Sequence, residues 1–226
     1  MDTDAPTSPA PLLVLDLVQA RVLASLIEKA STTPETYPLT LNALVVACNQ
    51  KTSREPVMEL EPGAAGHAVR QLEDRGLVKV VHGARALRYE HRFDEAYTVT
   101  ARQRAVLCLL LLRGPQTLGE LLIRSDRLAS FPSIDDVRDT LDRLAAREPP
   151  MALRVGRAAG QREDRYMHLL CGAAAAQAAA AGMASVSDSS ASSTLVHEGM
   201  ATRLAELEAR VAALEAALAE LRVSGQ

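Results

Sequence analysis

Aromatic residues are scarce in this chain. Its 226 residues include no tryptophan, two phenylalanines and four tyrosines. A hydrophobic core built mainly from leucine, valine and alanine suits small helical units. The length allows one large domain or two small ones.

Cysteine is also scarce. The three cysteines, Cys48, Cys108 and Cys171, each lie in an apolar run and are about sixty residues apart. No pair has the close spacing of metal ligands, and an odd number does not form a complete disulfide framework. We therefore expect three free, buried thiols in a reducing compartment.

Long apolar runs are missing. The longest strongly apolar run, residues 106–112, is far shorter than the roughly 20 residues that a membrane-spanning helix needs. The first residues, MDTDAPTSPAP, are acidic and rich in proline, unlike a signal or transit peptide. We therefore expect a cytoplasmic protein with no membrane partner.

A strong excess of positive charge is absent as well. The net charge is −3, and residues 12–172 carry 22 Lys and Arg against 20 Asp and Glu. The two tails carry 3 basic and 8 acidic residues. A globular part near neutrality lacks the basic footprint of a tight nucleic-acid binder, so any such binding must depend on local patches.

Signatures of catalysis are not found. The sequence contains no P-loop, GxSxG, HExxH or CxxC motif. Asp135 and Asp136 form an acidic pair, but both fall in a predicted first helical turn, where carboxylates complement the helix dipole. We therefore expect no enzyme, no catalytic residue, no cofactor and no metal.

Two histidines, His91 and His168, each follow an arginine by three residues at the end of a predicted strand. They could contact a metal or a phosphate. A zinc site usually needs three or four ligands, and neither histidine has a nearby cysteine. We favour a half-buried, hydrogen-bonded imidazole at each position.

Residues 37–93 have the element order of a winged helix-turn-helix. A helix from Leu12 to near Lys29 precedes them, and Thr40 can cap a second helix that ends at Cys48. A loop, residues 49–60, leads to a third helix with Pro62 in its first position and Gly76 as its stop. A hairpin of residues 77–81 and 86–93 follows.

The same order then begins again. Capping boxes at Thr100, Thr117 and Ser133 predict three helices, and residues 151–155 and 165–170 predict a second hairpin. Short echoes, ARVLASLI with RAVLCLLL and RYEH with RYMH, support a duplication. The predicted fold is mainly α with small β-hairpins (α+β): two tandem winged helix-turn-helix domains, residues 12–97 and 98–172.

The tails differ from these domains. Residues 1–11 are expected to be disordered, and residues 173–200 form an Ala/Ser-rich linker. Residues 201–223 are predicted to form a coiled-coil helix that helps to hold a homodimer. Its apolar seam recurs at three- and four-residue steps: Leu204, Leu207, Val211, Leu214, Leu218 and Leu221.

Four runs carry a family resemblance. They are TTPETYPLTLNALVVACNQKTSREPV (32–57), YEHRF (89–93), LLRGPQTLGEL (111–121) and RYMHL (165–169). Together they resemble the YceH family of uncharacterised bacterial proteins, over about residues 12–172. The resemblance implies two tandem winged-helix domains. It implies no established activity, cofactor or catalytic residue.

The candidate contact surface combines the loop, the third helix and the hairpin of the first domain. The loop could contact a phosphate or a partner protein. It could equally be tied down internally, with Arg54 paired to Glu55 or Glu59. The candidate contact residues are Asn49, Gln50, Lys51, Arg54, His67, Arg70, Gln71, Lys79, Arg85, Arg88 and Arg92.

Two functions remain open at this point. The first is a regulator-like dimer that binds double-stranded DNA through residues 12–97. In the second domain, four aspartates of the third helix (135, 136, 139 and 142) would repel phosphates. The alternative is a protein-interaction or scaffold module that uses its winged helices without contacting DNA.

Overall fold

The computed structural model describes residues 13–83, 86–157 and 163–179. Arg85, residues 1–11, residues 180–200 and the predicted coiled-coil helix (201–223) lie outside this part. The described part is a mixed α/β fold of helices and small antiparallel sheets. None of its helices is both long and apolar enough to cross a membrane.

The first half of the described chain follows the predicted element order with three additions. A 3-10 turn (Pro34–Thr36), the short strand β1 (Leu39–Thr40) and the short helix α4 (Phe93–Tyr97) were not predicted from the sequence. In chain order its elements are α1 (Leu17–Thr32), a 3-10 turn (Pro34–Thr36), β1 (Leu39–Thr40), α2 (Leu41–Cys48), α3 (Pro62–Asp74), β2 (Val78–His82), β3 (Leu87–His91) and α4 (Phe93–Tyr97).

The start of α1 differs from the prediction. The helix begins at Leu17 instead of Leu12 because Asp16 caps it. The Asp16 carboxylate accepts a hydrogen bond from the Gln19 backbone N–H at 2.8 Å, and the Asp16 N–H donates to Gln19 Oε1 at 3.2 Å. The helix also ends later than predicted, at Thr32.

The second half repeats the arrangement with a hairpin at its end. The predicted capping boxes at Thr100 and Thr117 are confirmed. Ser133 caps its helix, but the predicted capping box is incomplete, because the Asp136 carboxylate accepts from the Ser133 hydroxyl group and not from its backbone N–H. The elements are α5 (Ala101–Arg113), α6 (Leu118–Ser125), α7 (Ile134–Ala145), β4 (Ala152–Val155) and β5 (Arg165–His168). Residues 173–179 are helical as well.

Backbone pairing is equivalent in the two halves. In the first, β1 lies beside β3 in a three-stranded sheet of order β1-β3-β2, and Leu39 pairs with Tyr89. In the second, Gln116 pairs with Tyr166 as an isolated bridge next to the β4-β5 hairpin. Both partners of the second pair follow those of the first by 77 residues, which is the offset of the RYEH and RYMH echo.

One hydrophobic core runs through both halves. At its centre α1 packs against α5, and Leu23 and Leu26 of α1 and Leu107 and Leu110 of α5 are completely buried. The core also includes Leu141 of α7. It therefore continues across the predicted domain boundary at residues 97 and 98, and that boundary stays a prediction.

Candidate functional site

Hydrogen bonds between the first and last residues of the loop, Asn49 and Leu60, close the loop of residues 49–60. Asn49 Nδ2 donates to the carbonyl oxygen of Leu60 at 3.0 Å, and the Leu60 N–H donates to Asn49 Oδ1 at 2.8 Å. Both polar groups of the Asn49 side chain are thus used inside the protein. This supports the internal-anchor interpretation of the loop at Asn49, and leaves this side chain little capacity for a partner.

Arg54 is also an internal anchor. Its side chain lies inside the fold, and the residue is only 4% exposed. The guanidinium donates to both carboxylate oxygens of Glu28, at 3.1 and 2.5 Å, and to the carbonyl oxygen of Ala47. The sequence suggested Glu55 or Glu59 as its partner, and the structure corrects this to Glu28. A guanidinium buried this deeply cannot reach a phosphate unless the loop opens.

The contact with Arg54 affects the pKa of Glu28. Burial raises the pKa of its carboxyl group, but the hydrogen bonds and positive charges of Arg54 and, to a smaller extent, Lys29 outweigh burial, and the pKa lies below its ordinary value. Glu28 therefore stays ionised and neutralises one buried guanidinium.

A second buried arginine, Arg21, lies under the same loop. It is 2% exposed, and it donates to the carbonyl oxygens of Cys48 at 3.2 Å and Pro56 at 2.6 Å. Its Nε has no hydrogen-bond partner. Burial, and after it the charge of Arg54, lower the pKa of Arg21. The loop is therefore held by two arginines that approach it from inside the protein.

Two other loop residues face outward. Lys51 is exposed and Gln50 is half-buried. Lys51 makes no hydrogen bond or ion pair with the described residues, so its charge is available to a partner.

The three candidate residues of α3 differ in their surroundings. His67 and Arg70 are exposed, whereas Gln71 is half-buried and accepts a hydrogen bond from Gln19 Nε2 at 3.0 Å. His67 and Gln71 also line an apolar groove of about 770 Å³ between α3, the start of α1 and residues 171–179. Arg70 is the single candidate cation on α3.

The candidate cations of the first hairpin that the structure describes all have partners within the same chain. Lys79 pairs with Glu90 at 3.3 Å, and Arg92 pairs with Glu95. Arg88 Nη1 donates to the carbonyl oxygen of Pro38 at 2.7 Å, an arrangement that Arg165 repeats with Pro115 at 3.0 Å. The remaining candidate, Arg85, lies outside the described residues.

The third helices of both halves carry more negative than positive charge. α3 has one arginine, Arg70, against Glu73 and Asp74. α7 has two arginines against four aspartates. Two of these aspartates, Asp135 and Asp136, pair with Arg138 and Arg102, and the other two are exposed.

A pair of exposed apolar side chains was missed in the sequence. Val46 of α2 is 68% exposed and Ile123 of α6 is 79% exposed. Each lies six residues after the threonine that caps its helix, Thr40 or Thr117. The shared cap and the equal spacing show that the two positions are equivalent, but they do not reveal that both side chains are exposed.

The two histidines at the strand ends, His91 and His168, have different surroundings. The described residues contain no group of three His, Cys, Asp or Glu side chains that could hold a metal ion. His91 is half-buried, and its Nδ1 accepts a hydrogen bond from the Phe93 N–H at 3.4 Å, as expected. His168 differs from the expectation: it is fully buried, its Nδ1 has no partner, and burial lowers its pKa to about 4.

Comparison with known proteins gives a family without an assigned function. Residues 15–161 match the family described as "Protein of unknown function, DUF480". The chain belongs to this family. The UPF0502 protein Smlt0097 of Stenotrophomonas maltophilia is 53% identical, over 92% of this chain and 94% of its own length. The UPF0502 protein PSPA7_1674 of Pseudomonas paraeruginosa is 55% identical, over 93% of this chain and 90% of its own.

The family match includes the whole loop of residues 49–60 and both second helices. It confirms that the chain is a member of a family of uncharacterised bacterial proteins. Because the family description names no ligand or reaction, the function has to be argued from the surface described above.

Proposed function

We propose that this member of the DUF480 family is a cytoplasmic binding protein without catalytic activity, built from two winged-helix units. The order of three helices and a hairpin is typical of winged helices. The equivalent pairings Leu39–Tyr89 and Gln116–Tyr166 support two units of one kind. The resemblance to the YceH family has the same implication.

We propose further that its ligand is another protein. The observation that carries this proposal is the equivalent exposure of Val46 and Ile123. Exposed apolar side chains scattered over a surface need no explanation, but the same position on both second helices suggests a repeated contact surface. Protein interfaces are built around such apolar centres.

The charges of the third helices support the same choice. A DNA-binding winged helix inserts its third helix into the major groove. α3 and α7 both carry an excess of carboxylates, which phosphates would repel. The cations Lys79, Arg88 and Arg92 of the first hairpin already have internal partners.

A capture experiment tests this proposal. Tagged full-length protein is incubated with nuclease-treated lysate of its own organism, and the variant Val46→Asp/Ile123→Asp is compared with Thr52→Asp/Ala101→Asp. Both variants add two negative charges at exposed positions. We expect a stoichiometric protein partner with the wild type and with the Thr52/Ala101 variant, and at least about tenfold less with the Val46/Ile123 variant.

Two results would contradict it. One is that no protein is retained above background after nuclease treatment. The other is that both variants retain the same partner equally well.

A DNA-binding function is the second candidate, because three exposed residues of the first half remain unpaired. Lys51, His67 and Arg70 make no hydrogen bond or ion pair within the described residues. The ion pairs of Lys79 and Arg92 are exposed and can be exchanged for phosphate at a cost of roughly 0–1 kcal/mol each.

Fluorescence anisotropy with a labelled duplex tests this candidate. At about 50 mM salt we expect binding that weakens as salt is added. The variant Lys51→Ala/Arg70→Ala should weaken binding and make it less dependent on salt, whereas Arg143→Ala, on the exposed face of α7, should leave it unchanged. DNA binding is excluded as the function if the anisotropy does not change at low salt.

A further inference from the structure

Positive charge is concentrated where the loop of residues 49–60 meets the end of α5. Burial, and after it the charges of Arg124 and Arg54, lower the pKa of Arg113, whereas the carboxylates of Glu28 and Glu120 act in the opposite direction. Arg165 lies beside Arg124, because both pair with Glu120, at 2.8 and 3.3 Å. Among the described residues, Arg54 pairs with Glu28, and Arg124 and Arg165 share Glu120, whereas no carboxylate pairs with Arg113.

Arg113 is the member of this group without a carboxylate. It is the last residue of α5 and is half-buried, and no carboxylate oxygen of the described residues lies within 4.0 Å of its guanidinium. Within the described residues, the Arg113 side chain makes one hydrogen bond, from Nη2 to the hydroxyl oxygen of Ser53. A guanidinium has five N–H donors, and the remaining donors of Arg113 are reachable from solvent.

The loop presents Ser53 to Arg113 in a fixed position. Ser53 has φ of 62°, in the left-handed region that residues other than glycine rarely adopt. Its carbonyl oxygen accepts a hydrogen bond from Arg54 Nη1 at 3.0 Å while its hydroxyl group contacts Arg113. The neighbouring Glu55 N–H donates to the carbonyl oxygen of Leu112 at 2.8 Å, which fastens the loop to the last turn of α5.

We propose that Ser53 and Arg113 form a binding site for an oxyanion group, a phosphate or carboxylate carried by a small ligand. Planar guanidinium groups match the oxygen spacing of both anions. A bound anion pairs with Arg113, which contacts no carboxylate of the described residues, and Ser53 can donate its hydroxyl proton to the anion. The site shares no residue with the Val46 and Ile123 surface and does not depend on the proposed docking function.

Thermal unfolding at constant ionic strength tests this site, with sodium chloride, sodium acetate and sodium phosphate as the three arms. At phosphate or acetate concentrations several times Kd we expect the melting temperature to exceed that in chloride by about 2–4 °C. A rise with both anions identifies a general oxyanion site, and a rise with one of them identifies the preferred group.

Variants test whether the rise in melting temperature arises at this site. Arg113→Gln should lose the rise, whereas Arg143→Gln, an exposed arginine of α7, should keep it. The Val46→Asp/Ile123→Asp variant should also keep it, which separates this site from the docking surface. Equal melting temperatures in all three salts, or an undiminished rise in Arg113→Gln, would overturn the proposal.

NMR of the arginine side chains in the wild type gives a second readout that does not require a folded variant. Titration with inorganic phosphate should shift the Nε–Hε signal of Arg113. Shifts confined to other arginines would overturn the proposal.

Discussion

Arg54 and Glu28 form a two-pronged ion pair inside the fold, with guanidinium nitrogens 3.1 and 2.5 Å from the two carboxylate oxygens. The pair joins the middle of the loop of residues 49–60 to α1. Because Arg54 also binds the carbonyl oxygen of Ala47 at the end of α2, one side chain fixes the loop against both helices. The loop is therefore a structural element that supports the surface around it.

Removal of the Glu28 charge should destabilise the protein strongly. In Glu28→Gln the buried Arg54 would keep its charge without a counter-ion, which costs about 3–5 kcal/mol when one partner of a buried pair is lost. Since the Glu28 side chain is 16% exposed, we expect the lower part of this range. Urea unfolding followed by circular dichroism measures the change.

Glu95→Gln is the matched control for this variant. Glu95 pairs with Arg92 on the surface, and its loss should change the free energy of unfolding by roughly 0–1 kcal/mol. Equal losses of stability in the two variants would contradict the assigned role of the Arg54–Glu28 pair.

Asn49 should contribute to stability by closing the loop. Asn49→Ala removes the partners of the Leu60 N–H and carbonyl groups, both in a half-buried position, at a cost of about 1–3 kcal/mol. Hydrogen exchange should become faster at the Leu60 amide in particular. Asn42→Ala, at an exposed position of α2, is the control and should leave both stability and this exchange rate unchanged.

The parts of the fold that were predicted from the sequence depend on neighbouring residues. The capping residues Thr40, Thr100 and Thr117 bind backbone groups three positions ahead, so a few letters suffice to recognise a helix start. Strand β1 could not be found this way, because it has two residues and exists through pairing with β3, about fifty residues later.

In the candidate site, too, contacts between residues far apart in the sequence were not predicted. Arg54 was assigned to neighbouring carboxylates because a sequence shows local partners, whereas its partner Glu28 lies 26 residues away on α1. The exposure of Val46 was missed because α2 contains no charged residue that would mark its outer face. Lys51 and Arg70, which were predicted as contact residues, are exposed, and their role as contacts stays a prediction.

The three thiols should react at very different rates. Cys108 is fully buried, and burial raises its pKa, so it should react with a thiol reagent at the rate of unfolding. Cys171 is half-buried with its pKa raised to about 11, and it should react first, but slowly at neutral pH. Mass spectrometry after timed labelling measures the order.

Cys171→Ser should remove the first labelling step and leave the later ones unchanged. Labelling of Cys48 or Cys108 before Cys171 would show that the loop of residues 49–60 or the core opens more readily than its contacts indicate.

His168 should make the stability of the protein depend on pH. The unfolded chain binds a proton at this histidine below about pH 6.5, whereas the folded protein, with its pKa lowered by burial to about 4, does not. Between these values the unfolded state therefore binds more protons. The contribution of the neutral His168 is complete above the unfolded pKa and is lost as pH falls towards the folded one.

Urea unfolding at about pH 7, 5.5 and 4.5 measures this dependence, which should amount to roughly 2–3 kcal/mol from His168. Because carboxyl groups also titrate in this range, the quantity to compare is the difference between wild type and His168→Gln. The variant should lose less stability than the wild type on acidification. His67→Gln, at an exposed position, should follow the wild type at every pH. Parallel curves for wild type and His168→Gln would mean that His168 is protonated in the folded protein, and that its surroundings admit water or an anion.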